Sequence, residues 1–349
     1  MDYLLEIRDI KKYFPIKRTF RQILYPERQQ YVKAVDGVSF GVNKGKVFVI
    51  AGESGSGKTT VARMIMKATE PDTGSILFEE EDITKFTGDR LKRFRAKVQM
   101  IYQDPYSSLD PRMRILDTVM EPLNIHDNTS SKQQKIEKVF RSLHDVRLEP
   151  AAEVASKFPH MLSGGQRQRA ALARALVLKP ALIVADEPVS MLDVSVRAEI
   201  LELMRELKEK FQISFVYITH DLSTARYIGD SIAIMYAGKI VEMGPIDNVL
   251  LSSLHPYTKA LIDAVSEPDP NNLHAEKIIR IKEQVGSADP RDGSGHATSI
   301  GEQIGCRFSS RCPDAMEVCR NNDPELLESQ RDHFVSCFLY HKKGQAYNQ

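Results

Sequence analysis

The sequence lacks any long hydrophobic run: no uninterrupted apolar stretch in its 349 residues approaches the roughly 18 to 20 residues of a membrane span. Its start, Met1 to Ile10, carries acidic residues and no apolar segment typical of a secretory signal. A surplus of one charge is also missing, because 48 Lys and Arg residues stand against 47 Asp and Glu residues. That balance argues against a protein that coats nucleic acid. We therefore expect a chain in the cytosol or on the cytosolic face of a membrane, with no nucleic-acid partner.

Cysteine is absent until late in the chain. The four cysteines, Cys306, Cys312, Cys319 and Cys337, all lie near the C-terminal end. In a cytosolic chain, such clustering indicates a metal site rather than a pair of disulfides. Four thiolates suit a [4Fe–4S] cluster and Zn²⁺ equally well by softness. Zinc sites usually contain a tight C-x₂₋₄-C pair, which this sequence lacks. Three interpretations of the four cysteines remain: an iron–sulfur cluster, a zinc ion and unligated thiols.

What the sequence does contain is an alternation of short apolar runs with helical stretches. This alternation is typical of an α/β protein and predicts a mostly parallel sheet with helices on both faces. The alternation stops near Ser266, where a Pro- and Asp-rich stretch at residues 266–272 predicts a linker before a small C-terminal appendage. Residues 116–160 lack strand-like runs. The predicted strands are 34–42, 47–51, 98–102, 181–185, 213–218 and 231–236, and the predicted helices include 59–67 and 196–210.

Between a predicted strand and a predicted helix, residues 52–59 read GESGSGKT and fit the pattern G-x-x-x-x-G-K-[ST]. Small residues let consecutive backbone N–H groups close around phosphate oxygens, and the following helix adds the positive end of its dipole. In this pattern Lys58 reaches the outer phosphates and the Thr59 hydroxyl ligates Mg²⁺. The segment is therefore predicted to be a nucleotide-binding phosphate loop rather than an ordinary glycine-rich turn.

A second apolar strand, residues 182–185, ends in Asp186 and Glu187. A carboxylate at such a strand end, beside a phosphate loop, can hold Mg²⁺ through water. The neighbouring carboxylate can polarise an attacking water molecule. Taken alone, two acids could simply begin a solvated loop. The phosphate loop upstream favours the catalytic interpretation.

Residues 162–169 read LSGGQRQR, and taken alone Ser163 predicts a helix N-cap. With the two motifs above, the segment resembles the signature of the ATP-binding subunits of ABC transporters. The resemblance implies an α/β fold of the P-loop NTPase (RecA-like) class with an antiparallel β subdomain and a helical subdomain. It also implies two subunits facing each other head to tail. The partner's ATP γ-phosphate would then meet a second helix N-terminus, formed by Ser163, Gly164, Gly165 and Gln166.

The resemblance assigns roles to other residues in turn. Gln103 corresponds to the Q-loop glutamine, which senses Mg²⁺ and touches the membrane subunit. Asp193 belongs to the D-loop SMLD, where Met191 replaces the commoner Ala. His220 corresponds to the switch histidine that acts with Glu187 in catalysis, and Thr59, Gln103 and Asp186 would surround Mg²⁺. The implied ATP-binding residues are Gly52, Ser54, Gly55, Ser56, Gly57, Lys58, Thr59, Thr60 and Gln103.

In this family an aromatic residue near the first strand stacks on adenine. Tyr13 and Phe14 are the candidates, and their register favours Phe14. Either ring could instead belong to the core.

Several segments narrow the resemblance to the oligopeptide and dipeptide importer branch: residues 35–40 (VDGVSF), 104–112 (DPYSSLDPR), 186–196 (DEPVSMLDVSV) and 254–258 (LHPYT). The segment EPVS at 187–190 and the basic insertion at 17–30 are closer to the F-type than to the D-type ATPase of such importers. The implied partner is a D-type ATPase in a heterodimer, with a homodimer as the alternative. In relatives, a cysteine-bearing tail of this kind holds a [4Fe–4S] cluster.

The implied function is ATP hydrolysis that drives import of dipeptides or oligopeptides from the cytoplasmic face of the cell membrane. Two transmembrane permease subunits and an extracytoplasmic substrate-binding protein would complete the complex. Import of nickel or another small solute, and a soluble non-transport ABC ATPase, are the alternatives. The predicted domains are a nucleotide-binding domain at 1–265, with a helical subdomain at about 91–165, and a cysteine-containing C-terminal domain at 266–349.

Overall fold

Two β-sheets form the framework of the chain in a computed structural model that describes residues 3–16, 30–104, 108–264 and 304–341. The main sheet has eight described strands in the order β11-β12-β10-β9-β3-β8-β7-β6. The predicted linker at 266–272 and nearly all of the basic insertion at 17–30 lie outside the described residues, as do residues 105–107. The strands are β3 Val47–Ala51, β6 Val98–Ile101, β7 Leu182–Asp186, β8 Ser214–Thr219, β9 Ser231–Tyr236, β10 Lys239–Pro245, β11 Leu327–Gln330 and β12 His333–Val335.

Five adjacent strands of the main sheet, β9-β3-β8-β7-β6, run parallel. Every residue of β3, β7 and β8 is buried. Continuous apolar runs of this kind are expected where helices or a second sheet cover both faces of a parallel sheet. The strands β10, β12 and β11 continue the sheet in antiparallel pairing.

The second sheet is antiparallel and four-stranded, in the order β2-β1-β4-β5, with β1 Tyr3–Pro15, β2 Tyr31–Asn43, β4 Thr73–Phe78 and β5 Glu81–Asp82. Strand β2 is longer than the predicted strand at 34–42. It continues through Gly37, whose φ of 80° lies in a region that glycine tolerates best. The Phe40 ring stacks on Phe48 of β3 at a centroid distance of 4.5 Å, which joins the two sheets.

The two faces of the main sheet are covered differently. On one face, Val49, Phe215 and Tyr217 share a core with helices. On the other face, Phe48, Ile50 and Val216 pack with α1 and with the antiparallel sheet. The prediction of helices on both faces therefore holds fully for one face, whereas the other is covered mainly by β-structure. Among the described residues, the α-helices up to the end of β8 are α1 Lys58–Ile65, α2 Gly88–Lys97, α3 Ile115–His126, α4 Lys132–Asp145, α5 Ala151–Ser156, α6 Gly164–Leu176 and α7 Val194–Phe211.

Helices α3, α4 and α5 contact one another, and α3 and α4 also contact α6. Helix α4 begins with a capping box in which Ser131 and Gln134 exchange hydrogen bonds, and its Val139 and Leu143 are buried. The range predicted for the helical subdomain, about 91–165, also contains strand β6. Val98 and Ile101 of this strand are buried and pair with β7, so β6 belongs to the main sheet. The helical layer of the described residues therefore starts at Ile115.

The described C-terminal residues, 304–341, extend the main sheet. After α8 Leu222–Ile228 come α9 Ile246–Leu251, α10 Pro256–Asp263 and α11 Glu317–Asn321. Strand β12 pairs with β10, with Val335 opposite Glu242 and Phe334 opposite Met243. Phe308 is 1% exposed and belongs to the main core. Residues 327–335 thus add two strands to the main sheet, and the C-terminal domain at 266–349 stays a prediction. Among the described helices, none has both the length and the apolar composition needed to cross a bilayer.

A buried carboxylate fastens this C-terminal extension. Glu242 is fully buried and accepts hydrogen bonds from the backbone N–H groups of Leu254 and His255 at 2.7 and 2.9 Å. Its Oε1 also lies 2.8 Å from His333 Nε2, and the His333 side chain is equally buried. One side chain of β10 therefore ties together β12 and the start of α10.

Replacing this carboxylate should destabilise the protein strongly. Glu242→Leu removes the acceptor from three buried partners, so we expect the free energy of unfolding to fall by about 3 kcal/mol or more. Urea unfolding followed by circular dichroism measures the change. The matched control is Glu209→Leu on the exposed face of α7, for which a change within about 0.5 kcal/mol is expected. Equal stability of the two variants would contradict the role of Glu242.

Candidate functional site

The predicted phosphate loop, acidic pair and switch histidine follow three adjacent strands. Strand β8 lies between β3 and β7, and all three are parallel. Their carboxyl ends therefore bring Gly52, Glu187 and His220 to one edge of the sheet, where open α/β sheets bind ligands. Gln103 follows β6, which is the next strand beyond β7.

The phosphate loop passes close to neighbouring backbone at two glycines. Gly52 has φ 151° and Gly57 has φ 105°, both outside the range that other residues adopt easily. A Cβ atom on Gly52 would lie 2.2 Å from the Met235 carbonyl oxygen, and one on Gly57 would lie 2.2 Å from the Ala34 carbonyl oxygen. The loop geometry therefore depends on glycine at both positions. Ser54, Gly55 and Thr59 are exposed, whereas Ser56 is buried.

The Lys58 ammonium group lies inside this loop. Its Nζ donates to the carbonyl oxygens of Gly52 and Glu53, both at 2.8 Å, and Lys58 is 5% exposed. Burial lowers the pKa of Lys58, while the charges of Glu187 and Asp186 act in the opposite direction. The cation is thus held at the first turn of α1, beside the loop N–H groups that would receive a phosphate.

Asp186 and Thr59 form an oxygen-rich pair beside Lys58. Burial raises the pKa of Asp186, and a hydrogen bond with the Thr59 side chain partly counteracts that shift. A buried carboxylate next to a hydroxyl suits a hard cation, because Mg²⁺ prefers oxygen ligands. A bound cation would also offset the cost of burying the Asp186 charge.

Glu187 is held by the two other predicted active-site side chains. Gln103 donates from Nε2 to Glu187 Oε2 at 3.1 Å, and His220 Nδ1 lies 3.0 Å from the same oxygen. The Glu187 side chain is 15% exposed, and its backbone has φ 48°. Its N–H donates to the Ile218 carbonyl oxygen at 2.9 Å, which fixes the turn after β7. The structure therefore brings Gln103, Glu187 and His220 together at one oxygen atom.

The signature residues form a second group at the start of α6. Ser163 Oγ accepts from the Gln166 N–H at 3.3 Å, and Gln166 Oε1 accepts from the Ser163 N–H at 3.0 Å. Both side chains are exposed. A Cβ atom on Gly165 would lie 2.5 Å from Val196 Cγ1, so glycine lets α6 meet α7 closely.

The predicted D-loop adjoins the signature. Asp193 caps α7 through the Val196 N–H at 3.1 Å, and a Cβ atom on Gly164 would lie 3.5 Å from Leu192 Cδ2. Sequence reasoning missed Arg197, which ion-pairs with Asp221 at 3.2 Å and donates to the Leu192 carbonyl oxygen at 3.3 Å. Arg197 thereby connects the D-loop to the residue after His220. No sequence pattern marks this arginine.

The two candidate aromatic rings occupy different environments. The Tyr13 hydroxyl donates to Asp36, and burial together with that bond raises the Tyr13 pKa to about 12. Phe14 is 42% exposed at the end of β1. An exposed ring has a face available for stacking on a base, which favours Phe14.

All four cysteines line one narrow cavity of about 10 Å³. His255, Phe308 and Asp314 line it as well. Burial, with smaller contributions from neighbouring thiols, raises the pKa of Cys306 to about 11 and that of Cys337 to about 12. Within the described ranges, no three His, Cys, Asp or Glu side chains are grouped as ligands of a metal ion. The thiols converge, but they are not arranged as a preformed site for one small ion.

Comparisons with known protein families match both the nucleotide-binding part and the C-terminal part of the chain. The family "ABC transporter" matches residues 35–190, and "Oligopeptide/dipeptide transporter, C-terminal region" matches residues 241–319. The oligopeptide transport ATP-binding protein AppF of Bacillus subtilis (strain 168) is 41% identical over 97% of both chains. The dipeptide transport ATP-binding protein DppF of Haemophilus influenzae is 39% identical over 96% of both chains.

A solved structure extends the likeness to the fold. The ATP-binding cassette MJ0796, in a dimeric state bound to ADP and Pi, has a TM-score of 0.60 and 26% identity. The match covers 69% of this chain and 98% of that one. It supports a cassette fold in which the phosphate loop belongs to a mixed α/β core.

Removing the Lys58 ammonium should abolish tight nucleotide binding. We expect Lys58→Ala to raise the dissociation constant for ATP by roughly 10- to 100-fold, because a charge-assisted bond to phosphate is lost. Isothermal titration calorimetry on the full chain measures this. Lys44→Ala, in the exposed turn before β3, is the matched control and should bind ATP as the wild type does. Unchanged affinity in Lys58→Ala would rule out the assigned role.

Proposed function

The chain belongs to the ATP-binding proteins of the oligopeptide and dipeptide ABC transporters, and from this premise we propose that it forms half of a composite ATP site. It is an ABC transporter ATPase, the subunit that powers peptide import. In the proposal, this chain's phosphate loop binds one ATP molecule. Its Ser163, Gly164 and Gly165 serve the ATP molecule of a second ATPase subunit.

The observation that carries the proposal is the exposed, capped N-terminus of α6. The capping box holds Ser163 and Gln166 at the surface while the helix dipole points outward. A helix N-terminus attracts phosphate because its first N–H groups lack partners within the helix. A helix end of this kind on each subunit would complete the phosphate site of the other.

In the catalytic half, Glu187 is suited to orient and polarise the attacking water. A carboxylate held at one oxygen by Gln103 and His220 keeps its other oxygen, Oε1, for the water molecule. His220 would then stabilise charge that develops on the γ-phosphate. Lys58 and the loop N–H groups position the phosphates, so catalysis relies mainly on positioning and electrostatics.

Magnesium would be held by Thr59 and Asp186, with Gln103 nearby. Bound there, it would supply positive charge to the phosphate oxygens during transfer. The hydroxyl, the buried carboxylate and the raised pKa of Asp186 fit a divalent cation at this position. Exchange of the Thr59–Asp186 hydrogen bond for cation contacts would keep the Asp186 charge satisfied.

We assign the partners by the same resemblance. A D-type ATPase is the second subunit, with a homodimer as the alternative. Two transmembrane permease subunits would dock on the region from Leu91 to His160, with Gln103 at its entry, and an extracytoplasmic substrate-binding protein would deliver the peptide. The chain would then lie on the cytoplasmic face of the cell membrane as a peripheral subunit.

The cysteine pocket is proposed to hold a [4Fe–4S] cluster, with Zn²⁺ as the alternative. Four thiols from one segment converge on a single pocket, and burial raises the pKa values of Cys306 and Cys337. Cys312, Cys319 and Cys337 are buried and Cys306 is partly buried. Four thiolates gathered there would need a compensating positive centre, which an iron–sulfur core or a metal ion provides. Soft thiolate ligands suit both.

The catalytic proposal predicts a sharp separation of binding from turnover. In Glu187→Gln, ATP affinity should stay near the wild-type value, while turnover falls by roughly 10²-fold or more because the base is lost. Phosphate release by the complex purified through a tag on this chain measures turnover. ATP retained on that complex after gel filtration reports the trapped closed dimer.

The matched control for this measurement is Glu209→Gln on the surface of α7, which should hydrolyse ATP at the wild-type rate. If Glu187→Gln hydrolyses ATP as fast as this control, Glu187 does not activate water.

The proposed iron–sulfur cluster predicts that the purified protein is coloured and contains iron. Full-length protein purified without oxygen should be brown and contain iron and acid-labile sulfide in equal amounts, because the cluster is their only source. Cys319→Ser should lose iron, whereas Ser310→Ala, at an exposed position of the same segment, should keep it. Zinc without iron, or no metal at all, would refute the cluster.

A further inference from the structure

One residue of the phosphate loop, Glu53, is held from outside the loop. The Arg311 guanidinium contacts both carboxylate oxygens, with Nη1 3.1 Å from Oε2 and Nη2 3.2 Å from Oε1. Such paired contacts fix orientation better than a single bond does. Arg311 belongs to the C-terminal segment 304–341 and directly precedes Cys312.

A second contact from the C-terminal half of the chain holds the backbone of Glu53. The Tyr257 hydroxyl accepts from the Glu53 N–H at 2.9 Å. Tyr257 is 1% exposed, and its ring packs against Tyr236 and Phe308 with centroid distances of 4.6 and 5.5 Å. This hydroxyl therefore has little freedom to move away from the loop.

The third polar group of Glu53 is its carbonyl oxygen, which accepts from Lys58 Nζ at 2.8 Å. The N–H, the carbonyl and the carboxylate of one loop residue thus all have defined partners. Two of the three partners lie outside the motif that predicted the loop. The conformation of the phosphate loop is therefore stabilised both by residues of the motif and by residues from the C-terminal half of the chain.

The positive charge of Arg311 also matters for nucleotide binding. The Glu53 side chain is 42% exposed, beside a loop built for a triphosphate. An unpaired carboxylate there would repel the nucleotide, and Arg311 pairs with that charge. Loss of Arg311 would therefore both loosen the loop and leave a like charge near the phosphates.

The same segment reaches the neighbouring edge of the site. Arg307 contacts the Asp36 carboxylate and the Ala237 carbonyl oxygen, and its side chain is 9% exposed. Asp36 in turn accepts from the Tyr13 hydroxyl, next to Phe14. Both arginines between Cys306 and Cys312 therefore contact elements that border the nucleotide site.

We propose that Arg311 is a positioning residue for ATP binding, by which the C-terminal segment holds the phosphate loop through Glu53. It acts on affinity rather than on the chemical step, because it contacts the loop and not Glu187. The inference rests on the proposed binding of ATP by this phosphate loop.

The test compares Arg311→Ala with Arg320→Ala, an exposed arginine of the same segment that also adjoins a cysteine. In Arg311→Ala, the dissociation constant and KM for ATP should rise roughly 3- to 10-fold, while kcat stays within about 2-fold. Arg311→Lys should recover part of the affinity. Arg320→Ala should match the wild type in all three values. Calorimetry on the full chain and phosphate release by the purified complex supply the measurements.

The pathway through Glu53 is tested by a double-mutant cycle. If Arg311 acts through Glu53, adding Arg311→Ala to Glu53→Ala should weaken ATP binding no further. A full additional loss would overturn the proposal, as would wild-type affinity in Arg311→Ala when circular dichroism shows both proteins folded. Absence of ATP binding by the wild type would instead refute the proposed function, so the two failures are distinguishable.

Discussion

The nucleotide site depends on a steric constraint at the join between the two sheets. The phosphate loop runs so close to the carbonyl oxygens of Met235 and Ala34 that Gly52 and Gly57 cannot carry a side chain without a severe clash. Met235 belongs to the main sheet and Ala34 to the antiparallel sheet. Because both sheets close on the loop, the fold fixes the position of Lys58, and the neighbouring strand ends bring the acids to it.

Charge balance is the second theme of the site. Three carboxylates, those of Glu53, Asp186 and Glu187, lie within electrostatic reach of Lys58. Each has a polar partner of its own: Arg311 contacts Glu53, Thr59 bonds Asp186, and Glu187 is held by Gln103 and His220. Arg311 offsets the charge of Glu53, whereas the Thr59 hydroxyl and the Gln103 amide stabilise Asp186 and Glu187 without cancelling their charges. The loop N–H groups and Lys58, together with a cation held at Asp186, would then attract an incoming triphosphate.

The sequence was most informative where one strand or one motif suffices. Strands β3 and β9 have the predicted bounds, because a continuous apolar run bounded by turns can be recognised from the local sequence alone. The local sequence does not predict which distant segments pair with each other. Strand β12 has only three residues, and it pairs with β10 where the buried His333 side chain contacts Glu242. Arg311 meets Glu53 across 258 residues of sequence, and no periodicity records that contact.

The short segment between Glu187 and α7 joins the two functional halves of the chain. At one end, Ser190 Oγ donates to the Glu187 carbonyl oxygen at 3.0 Å. At the other end, Leu192 lies against Gly164, and Asp193 caps the helix whose Val196 meets Gly165. The group proposed to face the chain's own ATP and the helix end proposed to face the partner's ATP are therefore linked by a few residues in direct contact. Since packed contacts of this kind deform little, neither half can shift far without moving the other.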